Sequence, residues 1–198
     1  MPDAQDGQSS DWEGLLPAPT PPVPRRPDNL LEFRLARLLI LLDSMPEIQT
    51  SKPLHLERLG FYDFFADNPF LVLERDDPER RTLQLAGFSP NTLSYNSSAQ
   101  RFTNRRARLQ HDLALLVAQS LVKVEADGRH VTFSATSSGR ALAPQLRSLY
   151  AGAFRASASV VVRRLNKLSD KALTEHARDW LRAESFLVDL YGHGEHPS

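Results

Sequence analysis

The chain has 198 residues, 41% of them hydrophobic and 24% charged, which is enough for one domain or two small ones around an apolar core. It contains no cysteine, and this excludes disulfides, thiolate nucleophiles and zinc–thiolate sites. The 24 basic residues balance 24 acidic ones, so any contact with nucleic acid must depend on a local basic patch rather than on net charge.

The N-terminal segment has an unusual composition. Residues 1–27 hold seven of the fourteen prolines, and such a segment cannot bury enough apolar surface to fold by itself. We therefore predict a disordered, Pro-rich arm. The longest apolar run, at 38–42, is too short to cross a bilayer, and the acidic N-terminus lacks the pattern of a secretion signal. These features predict a cytoplasmic protein without membrane contacts.

Two helices are expected after the arm. The first begins near Asn29, which we predict as the N-cap of a capping box with Glu32, and its leucines recur at the spacing of a single buried face. The second covers "LHLERLGFYDFFADNP". The stretch "FLVLERDDPERRTLQLAGF" within 69–99 then reads as two short strands around a polar turn.

A third helix is predicted at about 99–120, followed by a β-hairpin at 121–135 that turns at Asp127-Gly128. Thr136 is placed to cap a fourth helix, "SSGRALAPQLRSLYAG", and two more helices are expected at 152–167 and 170–190.

This order of elements predicts a mainly α fold with a small β-hairpin. Three helices, a hairpin and a further helix are the topology of a winged helix. We predict a winged-helix-like domain at 28–150, a C-terminal helical interaction element at 151–191 and a disordered tail at 192–198.

The helix in the recognition position carries a basic pattern. Arg101, Arg105 and Arg108 follow helical spacing, so we expect them on one face, opposite much of the leucine line, with Arg106 beside them. Arg129 and His130 follow the hairpin turn. Such a surface can contact double-stranded DNA, can bind an acidic protein partner or can be plain solvated surface, and the sequence leaves these three alternatives open.

Motifs that would indicate catalysis or metal binding are weak. The closest histidine pair, His193 and His196, lies in the C-terminal tail, and a catalytic zinc site needs three held ligands. Asp63 and Asp67 share a helix face, with nothing beside them to indicate a substrate. Phosphate-binding loops and nucleophile motifs are absent from the sequence. We expect a protein that is not an enzyme and needs neither a metal nor another cofactor.

The C-terminal helices carry apolar residues that could serve a partner interface. Trp180 and Phe186 lie with several leucines on the last helix, and Val161 belongs to a run of three valines that are not expected to face one core together. We predict Val161, Trp180 and Phe186 at an interface with another protein.

Five stretches follow one another in an order that resembles the middle components of bacterial ABC three-component systems. They are "RLARLLILLD", "HLERLGFYDFFADNP", "NRRARLQHDLALLVAQSLVKVE", "FSATSSGRALAPQLRSLYAGAF" and "LSDKALTEHARDWLRAESF". Phe61-Tyr62-Asp63 is similar to a Leu-Tyr-Asp turn of that family, and Trp180, Glu184 and Phe186 are similar to its C-terminal pattern. The chain departs from the family where "NTLSYNSS" replaces a Pro-rich stretch, and where the strand-like segment before it looks inserted.

This resemblance implies a non-catalytic bridging subunit in anti-phage or anti-plasmid defence of the Lamassu kind. Its implied partners are an SMC-like ATPase with a long coiled coil and an effector, often a nuclease, while double-stranded DNA is a further possible partner. The alternative from the residues alone is a winged-helix transcription regulator that reads an operator through Arg101, Arg105 and Arg108.

Overall fold

The computed structural model describes residues 30–45, 54–90, 97–126, 128 and 131–191, except for the side chains of 183–191. This part of the chain forms seven α-helices and one antiparallel hairpin, so the predicted mainly α fold with a small hairpin is confirmed. Short 3-10 helices lie at Pro69–Leu71 and Ala143–Gln145. The main elements are α1 (Leu31–Ser44), α2 (Leu56–Asp67), α3 (Glu79–Leu85), α4 (Ser98–Ala118), β1 (Val122–Ala126), β2 (Val131–Ala135), α5 (Ser137–Leu142), α6 (Leu149–Leu165) and α7 (Asp170–Tyr191).

Some predictions concern residues outside this described part. They are the Pro-rich arm at 1–27, the tail at 192–198 with its two histidines, the cap at Asn29, the turn residue Asp127, the basic residues Arg129 and His130, and the side chain of Phe186. Within the described residues, α1 has Leu30 as its N-cap residue, and the Leu30 side chain makes no capping hydrogen bond.

The helices α1 and α2 are buried on all sides over much of their length. Every residue from Arg37 to Leu42 is buried, and so is every residue from Arg58 to Ala66. The single buried face predicted for α1 is therefore too narrow for its second half. A helix surrounded by protein must also satisfy its polar side chains internally, because unpaired buried charge is costly.

The helix α6 belongs to the same core and does not begin an added element. Phe154, Ala158, Val161 and Leu165 are fully buried in one cluster with α1, α2 and α4. The buried hydroxyl of Ser157 also donates to the carbonyl of Ala66 at the end of α2, at 2.6 Å. The hydrophobic core thus includes residues on both sides of the predicted boundary at residue 150.

The segment that we predicted as two strands is helical. Pro69 begins a 3-10 turn and Pro78 precedes α3, in agreement with the preference of proline for the first turn of a helix. Leu83 is buried whereas Leu85 is 81% exposed. This alternation of leucine with polar residues imitates a strand in the sequence, although α3 has only one inward position.

The predicted hairpin forms directly after α4. Its register pairs Val122 with Ala135 and Val124 with Phe133, and Gly128 has a φ of +83° in the turn, as a tight reversal requires. The other edge of β2 is hydrogen-bonded to the residues that lead into α2, since Phe133 N–H donates to Leu54 O at 3.1 Å. A helix followed by a packed hairpin is compatible with a winged helix, an assignment that stays a prediction.

The turn from β2 into α5 wraps closely around one carbonyl. Thr136 N–H donates to Leu121 O at 3.0 Å, and the Thr136 hydroxyl caps α5 by accepting from Gly139 N–H, as predicted. The fourth helix is shorter than expected, since it ends at Leu142 and gives way to a 3-10 turn containing Pro144. Proline in a helix interior removes a hydrogen bond and clashes with the preceding turn.

Gly139 gives a direct test of this packing. A Cβ atom at Gly139 would lie 2.2 Å from the backbone oxygen of Leu121, so we expect Gly139→Ala to lower the free energy of unfolding by at least about 2 kcal/mol. Gly152 in α6 is the matched control, because a Cβ there meets nothing within 4 Å. Gly152→Ala should be neutral or stabilising by up to about 1 kcal/mol in the same urea titration. Equal effects of the two substitutions would contradict this packing.

Candidate functional site

The arginines predicted to share one outward face divide into an inward and an outward pair. Arg101 turns inward from α4, where its Nη1 donates to Asn68 Oδ1 at 2.8 Å and its Nη2 donates to Ser98 Oγ at 3.0 Å. Its guanidinium carbon lies 5.9 Å from the centre of the Phe64 ring. These contacts hold α4 against the end of α2.

Arg105 is committed to carboxylates of α2. Its Nη2 donates to Asp67 Oδ2 at 2.7 Å, and its Nε lies 3.7 Å from Asp63 Oδ2. The side chain is only 13% exposed. Arg101 and Arg105 therefore share a face of α4 as predicted, but this face is turned inward, because carboxylates and ring faces inside the protein attract both side chains.

Arg106 and Arg108 are the exposed members of the predicted set. Arg106 Nη2 lies 3.5 Å from Glu57 Oε1, in a pair in which both side chains are about half exposed. Exposed pairs of this kind contribute little to stability, so a binding partner could replace the contact at small cost. Nothing in the fold buries Arg108, and its contact with DNA or with a partner stays a prediction.

At the centre of the fold, Arg37 of α1 binds Asp63 of α2. Arg37 Nε donates to Asp63 Oδ1 at 2.8 Å and Nη2 donates to Oδ2 at 3.3 Å, with both side chains 2% exposed. Burial by itself would lower the pKa of the Arg37 guanidinium. The negative charges of Asp63 and Asp67 outweigh that effect and hold this pKa above its usual value.

Asp67 extends the same ionic cluster to α4 and α6. It accepts from Arg105 through Oδ2, and its Oδ1 accepts from the Tyr150 hydroxyl at 2.7 Å. Burial would raise the pKa of the Asp67 carboxyl, but the charges of Arg105 and Arg37 and the two hydrogen bonds keep it below its usual value. Burial, together with the nearby charge of Asp67, raises the pKa of the Tyr150 hydroxyl. We call Arg37, Asp63, Asp67, Arg105 and Tyr150 the central ionic cluster.

Two further arginines, the partly buried Arg34 and the buried Arg58, hold other pairs of helices together. Arg34 binds the buried Asp112 of α4 through two hydrogen bonds of 2.7 and 2.8 Å. Arg58 of α2 donates to the Tyr62 hydroxyl at 2.9 Å, to Leu168 O at 3.1 Å and to the carboxylate of Asp170 at the start of α7. Each carboxylate in these contacts neutralises a cation of another helix.

The three residues predicted at a partner interface have different positions. Val161 is fully buried in the core of the chain, so its predicted place at an interface is wrong. Trp180 is partly buried, with its ring at 5.4 Å from Phe65 in an edge-on contact and stacked at 5.5 Å on His176. Phe186 lies in α7, but its side chain is outside the described part.

The chemistry of the site is that of charge pairing. The carboxylates of Asp63 and Asp67 are already paired with arginines. Each would have to break an ion pair before it could accept a proton or bind a metal. Among the described residues, no three histidine or acidic side chains are grouped so that they could hold a metal ion. No helix in the same residues is long and apolar enough to cross a membrane.

Sequence reasoning missed the central ionic cluster, although one signal was present. Arg37 interrupts the leucines of α1, while Asp63 and Asp67 stand one turn apart among the apolar residues of α2. Charges inside apolar helix stretches must find opposite charges within the fold. Tyr150, which follows in α6, gave no comparable signal.

Asp67 predicts a specific dependence of stability on pH. Its folded-state pKa lies below the unfolded one, so its contribution is complete above the unfolded value near pH 4 and is lost as the pH falls through the folded value. We expect Asp67→Asn to cost about 2 kcal/mol of unfolding free energy at pH 7 and clearly less at pH 3. The exposed Asp76→Asn is the control in urea titrations at both pH values. A cost for Asp67→Asn that is the same at both would contradict the prediction.

The comparison with known families agrees with the order of these elements. No curated protein and no solved structure matches the chain significantly. The sequence model of the family described as "ABC-three component (ABC-3C) system Middle Component 2" matches residues 31–183. That match begins at the first residue of α1 and ends within α7, so it contains the whole ionic cluster. The chain therefore belongs to the family of ABC-3C system Middle Component 2 proteins.

Proposed function

We propose that the chain is a non-catalytic accessory subunit in a cytoplasmic anti-phage or anti-plasmid defence system. In this role it bridges an SMC-like, coiled-coil ATPase of the Lamassu type and an effector subunit such as a nuclease. Double-stranded DNA that the complex senses lies against the exposed side of α4. No metal or other cofactor is part of the proposal.

The observation that carries this proposal is the extent of the family match. The matched residues 31–183 begin and end with the packed helices, so what the family shares is the helical body itself. A middle component of a multi-component system has protein partners. A body with a continuous core presents its outer faces in a fixed relation, and this is what a subunit that joins two others needs.

The ionic cluster supports a role without catalysis. Catalytic acids and bases need a pKa near the working pH and access to a substrate. Here arginine partners within the fold hold the pKa of Asp67 low, while burial, together with the charge of Asp67, holds the pKa of Tyr150 high. These groups stay in one protonation state at neutral pH and serve the packing of four helices.

The exposed side of α4 supports the contact with DNA. Its outward residues include Gln100, Asn104, Arg108 and His111, while Asp112, the acidic residue of this helix, is buried against Arg34. A helix face without exposed carboxylates can approach phosphate without repulsion. Arg106 and Arg108 supply its positive charge.

A winged-helix regulator is the second candidate, and the position of the hairpin favours it. The hairpin follows α4 directly, as a wing follows a recognition helix. A regulator of this kind would bind one DNA sequence tightly without the ATPase. The bridging subunit should instead bind DNA weakly when it is alone.

We expect Arg106→Glu combined with Arg108→Glu to leave the fold and the recovery of the ATPase unchanged while weakening DNA binding by the complex. Each lost phosphate contact should reduce the slope of log affinity against log salt by about one. The measurement is co-purification of the tagged chain with its system's ATPase and effector, followed by salt titration of DNA binding. Arg75→Glu with Arg81→Glu, two exposed arginines outside α4, is the matched control.

Two results would contradict the bridging proposal. Failure of the wild-type chain to co-purify with the ATPase would remove its basis. Tight, sequence-specific DNA binding by the isolated chain, lost in the Arg106 and Arg108 variant, would favour the regulator instead.

A further inference from the structure

The short stretch from α5 to the start of α6 exposes apolar side chains together with two cations. Leu149, the first residue of α6, is 96% exposed, and Leu142 at the end of α5 is 37% exposed. Arg140 and Arg147 are exposed in the same short stretch. We call Arg140, Leu142, Arg147 and Leu149 the Leu149 patch.

The backbone under this patch is held firmly. Arg155 of α6 donates to Leu146 O at 3.0 Å and also to the carbonyl of Ala143, which is fully buried. The Ser148 hydroxyl caps α6 by accepting from Ala151 N–H at 3.1 Å. Leu149 is thus presented on an ordered turn, and binding to it costs little conformational entropy.

The stretch of the chain that carries the patch has charged residues of one sign. Residues 128–169 contain seven lysines and arginines and neither aspartate nor glutamate, although the whole chain is neutral. Among the described residues, no carboxylate forms an ion pair with Arg140 or Arg147. The surface therefore fits a ligand that combines carboxylates with apolar side chains, since phosphate alone would leave Leu149 in water.

The same chain contains a segment with this chemistry. Residues 1–24 carry four carboxylates and neither lysine nor arginine. Within them, "DWEGLL" at 11–16 places Asp11 and Glu13 beside the apolar side chains of Trp12, Leu15 and Leu16. Acidic and large apolar residues thus alternate in one short stretch.

The point at which the N-terminal segment joins the fold is close to the patch. Phe33 in the first turn of α1 contacts the ring of Tyr150 with a centroid distance of 4.7 Å, and Tyr150 follows Leu149 directly. Leu30 and Leu31, where the described chain begins, are also exposed, at 37% and 36%. A chain of thirteen residues, the length of 17–29, can span roughly 40 Å at the rise of polyproline.

We propose that residues Asp11–Leu16 of the chain's own N-terminal segment dock on the Leu149 patch, with Leu149 buried by their apolar side chains and Arg140 and Arg147 paired with Asp11 and Glu13. The tether makes this binding intramolecular, so its effective concentration is high and a weak contact suffices. A partner protein that uses the patch must displace this segment. The inference does not depend on the proposed bridging role.

The test uses the indole N–H signals of the ¹⁵N-labelled full-length chain. Its two tryptophans, Trp12 and Trp180, give two such signals, which Trp12→Phe assigns. We expect Leu149→Asp to shift the Trp12 signal toward the position of a free tryptophan peptide, with docking weakened about tenfold. An unchanged Trp180 signal shows that the fold is intact. Leu85→Asp, at a leucine of similar exposure on α3, is the matched control and should leave both signals unchanged.

A charge exchange tests the pairing independently. Arg140→Glu with Arg147→Glu should also release Trp12, and adding Asp11→Lys and Glu13→Lys to that variant should restore the docked signal. A wild-type Trp12 signal already at the free position, or one that Leu149→Asp does not move, would overturn the proposal. A docked signal that depends on protein concentration, with the mass of two chains by light scattering, would overturn it in favour of a second copy.

Discussion

The buried pair of Arg37 and Asp63 sets how the two central helices meet. The helices α1 and α2 lie at the centre, surrounded by protein, and each carries a charge that cannot reach water. Such charges are tolerated only when they are paired and hydrogen-bonded, so the two helices must meet where Arg37 faces Asp63. Asp67, Arg105 and Tyr150 then extend the same requirement to α4 and α6. Apolar packing can slide by small steps, whereas this cluster fixes the relative positions of four helices.

This arrangement determines which surfaces are left for partners. Since Arg101 and Arg105 serve the interior, the outward chemistry of α4 belongs to its polar residues and to Arg106 and Arg108. Although α6 is a core helix, its N-terminal residue Leu149 is exposed to a partner, whereas Val161 is buried in the interior. The family match covers the body that the cluster holds together, which is consistent with a component whose shape is its main contribution.

Much of the fold could be predicted from local patterns, and the errors share a cause. The hairpin, α2, α4 and the cap at Thr136 depend on spacing and turn chemistry, which are readable along the chain. The arginine face could not be read correctly, because helical spacing shows which residues share a side but not what that side meets. The inward direction of Arg105 is set by Asp63 and Asp67, which precede it by 42 and 38 residues. Likewise, the sequence of α3 fits a strand as well as a helix, because Leu83 and Leu85 alternate with polar residues although one is buried and the other exposed. Long-range pairing of charges was the information that the sequence patterns lacked.

A double-mutant cycle of unfolding free energies tests whether the pair of Arg37 and Asp63 holds the core together as a unit. We expect Arg37→Met and Asp63→Leu each to cost about 3–5 kcal/mol, since each leaves a buried charge without its closest partner. The double variant should recover a large part of that loss, because it removes both charges and keeps an apolar interior. Single substitutions that cost less than about 1 kcal/mol, or costs that simply add in the double variant, would contradict the account.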